Sequence, residues 1–192
     1  MDADGRAPSI WDAFVQRPGA IANDDDARVA CDGYRHPERA VEAAHWLGLE
    51  TFRLSVSWSR LVPDATRAPN PAGIAYYRQV LRSLLDRGIQ PAVTLYHWDL
   101  PQWLQDRGGW ADLRTADEFV AFAEVAVREL GDLVHDWFTI NEPFCASFHG
   151  YLSGEHAPGI RDEATALRAA LMQLHAHGQA VRAMRRLDAS AR

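Results

Sequence analysis

Asn141 and Glu142 come directly after an apolar stretch and before Pro143, and they are the first residues whose types point to chemistry. The proline ring disfavours helical geometry at residue 142, so we expect an extended backbone there. The Glu142 carboxylate is then expected to project from the end of a strand, where it could meet a bound molecule. A loop glutamate facing water is the alternative.

A second cluster of polar and aromatic side chains is His97, Trp98 and Asp99, with Trp103 and Trp110 nearby in the sequence. Indole rings suit the apolar faces of sugar rings, and they also suit protein cores. For the cluster at a strand end we favour a binding cleft. Three other tryptophans are assigned to the core: Trp11, Trp46 and Trp137.

Arg53 is the third candidate. It stands on the polar side of an alternating stretch, and the opposite side of that stretch is apolar. If that side faced the interior of a barrel, the guanidinium would be buried and would require a carboxylate partner. The alternative is an arginine at a strand edge that reaches solvent.

The remaining histidines do not indicate a metal site. His175 and His177 are two residues apart on a predicted helix and therefore face different directions. His149 and His156 flank a loop that could form part of the same cleft, and we assign them no catalytic role. The sequence has no Gly-x-Ser-x-Gly elbow and no evident Cys–His pairing, so it does not support serine or cysteine nucleophile chemistry.

Composition describes an ordinary globular protein: 192 residues, 47% of them hydrophobic and 24% charged. The formal net charge of −6 argues against nucleic acid as a partner. The two cysteines form no disulfide framework, and neither a signal peptide nor a membrane span is visible. A cytoplasmic location is the resulting expectation.

Hydrophobic periodicity predicts helices and strands in alternation. Three strands separated by long helices indicate a parallel sheet, either a barrel or a doubly wound sheet. Two observations favour the barrel: phosphate-binding glycine motifs are absent, and the polar clusters follow the strands. The predicted elements are helix 36–47, strand 51–58, helix 74–87, strand 91–96, helix 115–130 with Thr115 as its cap, strand 134–140 and helix 165–187.

Five stretches of the sequence resemble the family 1 glycoside hydrolases, whose typical members are β-glucosidases. They occur in family order, and YHWDLP followed by NEP is highly specific. The stretches are PSIWDAF (8–14), VACDGY (29–34), FRLSVSWSR (52–60), VTLYHWDLPQWLQDRGGW (93–110) and FTINEPFCASFHGYLSGEHAPG (138–159).

This resemblance implies a (β/α)8 barrel that hydrolyses β-glycosides with retention, using two glutamates and no cofactor. Glu142 matches the acid/base, and Asn141 matches the residue that holds the sugar 2-hydroxyl. His97 matches a ligand of the 3-hydroxyl, with Trp98 beside it. Arg53 matches the arginine that pairs with the nucleophile.

The resemblance also implies that residues 1–192 are an incomplete N-terminal part of one barrel domain, with strands two to four and their helices. The family's first strand and its Thr-Glu-Asn-Gly nucleophile motif are not found, and residues 33–37 depart from the usual pattern. The expected partners are a β-glycoside and either a C-terminal half-barrel chain or a second copy. The alternative is a truncated non-catalytic paralogue or a carbohydrate-binding or assembly half-barrel. Gluco, galacto, fuco and 6-phospho specificities are not separated.

Overall fold

The computed structural model describes residues 3–192, and its centre is a three-stranded parallel sheet with the order β1-β2-β3. The observed α/β architecture with parallel pairing is the predicted one. Because parallel strands point the same way, their carboxyl ends meet at one edge of the sheet. The strands are β1 (Thr51–Ser55), β2 (Gln90–Tyr96) and β3 (Asp136–Ile140).

Seven α-helices surround this sheet in the described part of the chain. The helix α4 connects β1 to β2, and α6 connects β2 to β3, as parallel strands require. A π-helix, Cys145–Ser153, follows β3. The helices are α1 (Ile10–Phe14), α2 (Pro37–Trp46), α3 (Trp58–Leu61), α4 (Pro71–Leu85), α5 (Gln102–Gln105), α6 (Leu113–Leu130) and α7 (Glu163–Leu187).

Several predicted element boundaries were wrong, and two of these differences have a clear physical reason. The first strand ends at Ser55 instead of continuing to Trp58, which begins α3 and is buried there. The cap of α6 is Asp112, whose side chain accepts a hydrogen bond from the Arg114 backbone N–H at 2.8 Å. Thr115, the predicted cap, donates its hydroxyl to the Gly109 carbonyl at 2.6 Å. A competing cap three residues upstream therefore set the helix start.

The main core lies between the sheet and the helices on its outer face. The central strand β2 is buried at every position except the first, as expected for a strand with neighbours on both sides. Next to it, the rings of Trp58 and Phe122 stack with centroids 4.9 Å apart. The close contact of α6 with α7 relies on fully buried alanines of α7, among them Ala169 and Ala180.

The assignment of Trp46 to the core was wrong, because its residue surface is 83% exposed. Val41 and Ala44 face a small core cluster, and Trp46 lies about 200° around α2 from Ala44. Trp11 and Trp137 are partly buried and pack against the main core, as predicted.

Both cysteines are free thiols, in agreement with the sequence-based expectation. Within residues 3–192, none of the helices has the length and apolar content needed to cross a bilayer.

Candidate functional site

All five predicted site residues lie along the carboxyl edge of the sheet. Arg53 is in β1, His97 and Trp98 follow β2, and Asn141 and Glu142 follow β3. The prediction that the polar clusters follow the strands is therefore confirmed. Hydrogen bonds join the three strand ends into one network, which we call the edge network.

Arg53 is the centre of the edge network. Its Nε donates to Thr94 Oγ1 at 2.8 Å, and its Nη2 donates to Asn141 Oδ1, also at 2.8 Å. The guanidinium carbon lies 4.4 Å from the centroid of the Phe138 ring. One face of this cation therefore rests on an aromatic ring while two of its N–H groups are fixed.

The sequence led us to expect a buried Arg53 with a carboxylate partner. The residue is instead exposed, because three strands enclose only part of a barrel interior. Within residues 3–192, Arg53 makes no ion pair with a carboxylate. Its Nη1 forms no hydrogen bond with any described residue, so it is a donor free to meet an anion.

Asn141 ties the ends of β2 and β3 together. Its backbone N–H donates to the Tyr96 carbonyl at 2.9 Å, and its own carbonyl accepts from Trp98 Nε1 at 2.9 Å. With Oδ1 occupied by Arg53, the amide group of this largely buried residue has a fixed orientation. The side-chain NH2 makes no hydrogen bond in the described part of the chain, which leaves a donor for a ligand hydroxyl.

The backbone is strained at two site residues. Trp98 has φ 74° and Glu142 has φ 44°, both in the left-handed region that L residues rarely adopt. The extended conformation predicted for Glu142 was therefore wrong: Pro143 excludes a right-handed helix there but not a left-handed turn. This turn redirects the chain from β3 towards the π-helix, and the Glu142 carbonyl accepts from Ala146 at 3.2 Å. The Glu142 side chain stays exposed.

The imidazole of His97 lies between a hydroxyl and two opposite charges. Its Nδ1 is 3.0 Å from Ser55 Oγ at the end of β1. Burial lowers the pKa of His97, and the positive charge of Arg53 lowers it further, whereas the Glu142 carboxylate acts in the opposite direction. The neutral imidazole is thus favoured near neutral pH, and its Nε2 remains available to a ligand.

This arrangement predicts opposite changes in two variants. Arg53→Met should raise the pKa of His97, because a positive charge that opposes protonation is removed. Glu142→Gln should lower it, because the carboxylate that stabilises the imidazolium is removed. Titration of the His97 ring by 1H–15N NMR measures both. Equal His97 pKa values in both variants and in the unchanged chain would contradict this description of the site.

Asp99 completes the His97-Trp98-Asp99 cluster but is partly buried. The exposed side chains of Arg53, His97 and Glu142 lie instead on the open side of the strand ends, which we call the groove. Burial raises the pKa of Asp99 to about 6, while a hydrogen bond from Ser57 and the charge of Arg6 oppose that increase. Among the described residues its Oδ1 has no hydrogen-bond partner. These contacts lie under the strand ends and fit a structural role.

The loop histidines form a group beside Trp98, as expected for part of the same cleft. The His156 ring centroid lies 5.4 Å from that of Trp98 and 5.0 Å from that of His149. His149 Nδ1 is 3.5 Å from Glu155 Oε2. His156 thus supports one side of the Trp98 indole.

The helix histidines are not part of the site. His177 Nδ1 contacts Thr139 Oγ1 at 2.7 Å, on the side of β3 that faces α7. His175 lies elsewhere on the same helix and is exposed. Residues 3–192 contain no group of three or more His, Cys, Asp or Glu side chains that could hold a metal ion.

Sequence analysis missed three contributors to this site: Ser55, Thr94 and Phe138. Their register on adjacent strands places them on the face that carries Arg53, since Ser55 pairs with Thr94 and Thr94 with Phe138. A signal for Ser55 and Thr94 was present, because Ser55 shares the polar side of β1 with Arg53 and Thr94 interrupts the apolar run of β2.

Comparison with known proteins adds an independent line of evidence. The family Glycosyl hydrolase family 1 matches residues 1–192. The chain is 44% identical over 188 residues to Beta-glucosidase A of Acetivibrio thermocellus, covering 98% of this chain and 42% of that protein. It is 43% identical over 183 residues to Beta-glucosidase A of Thermotoga maritima, covering 95% of this chain and 41% of that protein.

Solved structures agree with these matches. The AHE enzyme from Alicyclobacillus herbarius superimposes with a TM-score of 0.94 at 44% identity, over 99% of this chain and 42% of that one. The Thermotoga maritima beta-glucosidase in complex with glucoimidazole gives a TM-score of 0.94 at 42% identity, over 96% of this chain and 42% of that one. The chain therefore spans about 42% of the length of these relatives, and its fold is part of the (β/α)8 barrel that was predicted.

Proposed function

Because the chain belongs to glycosyl hydrolase family 1, we propose that it carries the acid/base side of a retaining β-glucosidase active site. The observation that supports this most strongly is the position of Glu142. Its exposed carboxylate leaves the carboxyl end of β3 beside Asn141 and faces the same groove as Arg53 and His97.

In this proposal Glu142 protonates the glycosidic oxygen as the leaving group departs. The same carboxylate then removes a proton from the water that attacks the glycosyl-enzyme intermediate. The free side-chain NH2 of Asn141 donates to the sugar 2-hydroxyl, and His97 binds the 3-hydroxyl. Trp98 forms the wall beside them, held by its hydrogen bond to the Asn141 carbonyl.

Retaining hydrolysis needs a second carboxylate about 5 to 5.5 Å from the first, on the opposite face of the sugar ring. Two acidic residues beside the cluster and its loop do not supply this carboxylate: burial raises the pKa of Asp99 to about 6, and Glu155 lies 3.5 Å from His149 Nδ1. We therefore assign the nucleophile to another part of a complete barrel. The free Nη1 of Arg53 is suited to pair with it.

It follows that residues 1–192 are part of one catalytic barrel domain and are inactive by themselves. The substrate is a β-glycoside, a proposal supported by relatives named beta-glucosidase and 1,4-beta-D-glucan glucohydrolase. The partner is the rest of the barrel, whether it continues the same chain or lies on a second chain, or a second copy. Free cysteines agree with the proposed cytoplasmic location.

A domain exchange tests this proposal. We define the hybrid barrel as Thermotoga maritima Beta-glucosidase A in which residues 1–192 of this protein replace the matched region. The hybrid barrel should hydrolyse nitrophenyl β-glucoside, whereas the unmodified chain should give no measurable enzymatic rate. A set of nitrophenyl β-glycosides, including galactoside and fucoside, then defines the sugar preference.

The activities of the hybrid barrel and of the unmodified chain distinguish a catalytic part of a barrel from a non-catalytic half-barrel. A folded hybrid barrel without activity would contradict the proposal and favour a non-catalytic half-barrel. Glu142-dependent turnover by the chain alone would show that it supplies both carboxylates, which would contradict the assignment of the nucleophile to another part of the barrel.

A further inference from the structure

Thr94 stands out because it is a fully buried polar residue on the central strand of the sheet. Its hydroxyl contacts the Arg53 guanidinium at 2.8 Å, and its carbonyl accepts a hydrogen bond from Val56 at 3.0 Å. The strand register fixes it between Ser55 on β1 and Phe138 on β3. A β-branched side chain on a buried strand has little rotamer freedom, so its hydroxyl is a fixed acceptor.

The guanidinium of Arg53 is planar, and three contacts determine that plane. The Thr94 hydroxyl holds Nε, the Asn141 amide oxygen holds Nη2, and the Phe138 ring lies against one face. Asn141 can fix only one end of the group. Without the Thr94 contact, rotation about the terminal bonds of the arginine side chain would be limited by one hydrogen bond and a ring contact.

We propose that Thr94 is a positioning residue. Its hydroxyl, together with the Phe138 ring against one face of the guanidinium, orients Arg53 so that the Nη1 donors face the groove. Nη1 is then preset for a carboxylate that approaches from outside the described residues. Only the identity of that carboxylate as a nucleophile rests on the proposed function. The orientation of Arg53 by Thr94 does not depend on it.

The test is the behaviour of the Arg53 Nε–H in the unmodified chain and its variants. Arg53→Met assigns the resonance by its disappearance from 1H–15N spectra. Thr94→Val removes the acceptor with little change in side-chain volume, and Thr94→Ser retains the hydroxyl. Thr139→Val is the matched control, because that strand threonine contacts His177 instead of the groove.

We expect the Arg53 Nε–H to exchange with water at least about tenfold faster in Thr94→Val than in the unmodified chain, the effect of losing one hydrogen bond to a charged group. Thr94→Ser should restore slow exchange, and Thr139→Val should leave it unchanged. The pKa of His97 should also rise in Thr94→Val, because the Arg53 charge is no longer held beside it.

An unchanged Arg53 Nε–H in a folded Thr94→Val variant would overturn the proposal, as would an equal loss in Thr139→Val. If Thr94→Val does not fold, exchange rates measured on the unmodified chain still test the proposal. The Arg53 Nε–H must then exchange more slowly than that of the exposed Arg168, and equal rates would refute the proposal. If the hybrid barrel is inactive while the Arg53 Nε–H exchanges as expected in the unmodified chain and its variants, the proposed function is refuted but the positioning by Thr94 is not.

Discussion

Replacing Glu142 by alanine in the hybrid barrel should lower the hydrolysis rate of an alkyl β-glucoside by about 10² to 10⁴-fold, the usual contribution of general acid catalysis. An alkoxide is a poor leaving group, so bond cleavage depends on the proton that Glu142 supplies. With an activated aryl leaving group the loss in the first step should be much smaller, because that group departs without full protonation. The values of kcat/KM for the two substrates measure the difference, because kcat/KM reports the steps up to formation of the glycosyl-enzyme intermediate.

The matched control is Glu163→Gln, which alters an exposed glutamate at the start of α7, and it should leave both rates unchanged. A Glu142→Ala hybrid that hydrolyses the alkyl glucoside as fast as the parent would contradict the acid/base assignment. An equal loss on both substrates would place the defect in folding or in sugar binding instead.

Arg53→Met in the hybrid barrel should slow formation of the glycosyl-enzyme intermediate by about 10² to 10³-fold, the usual effect of removing one preorganised electrostatic contact. In the proposed function the free Nη1 of Arg53 pairs with the nucleophile, and its positive charge keeps that carboxylate ionised and nucleophilic. The pre-steady-state burst of nitrophenol measures this step directly.

For this second prediction the control is Arg87→Met, because Arg87 follows α4 and its side chain hydrogen-bonds only to Ser83 in the described part of the chain. A burst of normal rate and amplitude in Arg53→Met would show that the guanidinium does not act on the nucleophile. Slower deglycosylation with normal glycosylation would also contradict the prediction.

The parallel sheet was predictable because its signals are local. Alternation along 51–55 and the apolar run within β2 each identify a strand, and the long helices between them require parallel pairing. The exact ends depended on tertiary contacts. Trp58 continues the alternation in sequence, but in the structure it begins α3, where its ring stacks on Phe122.

That the candidate residues lie at one edge of the sheet was predictable, but their geometry was not. Polar side chains after two strands indicated the carboxyl edge, whereas the bond between Arg53 and Asn141 joins residues 88 positions apart and depends on strand register. The left-handed backbone of Glu142 was not predicted, because Pro143 restricts that residue without choosing between the remaining conformations. Thr94 was overlooked because threonine is also an ordinary strand former.

The acid/base role of Glu142 is tested most directly by a reaction of the Glu142→Ala hybrid barrel with nitrophenyl β-glucoside in the presence of azide. The measured quantity is the anomeric configuration of the product. If Glu142 is the acid/base, its removal leaves the nucleophile intact, and azide attacks the glycosyl-enzyme from the face that Glu142 occupied. We expect restored turnover and a β-glucosyl azide, identified by its anomeric proton in 1H NMR. An α-glucosyl azide would make Glu142 the nucleophile, and the absence of any azide product from a folded, glycosylated variant would contradict an acid/base role.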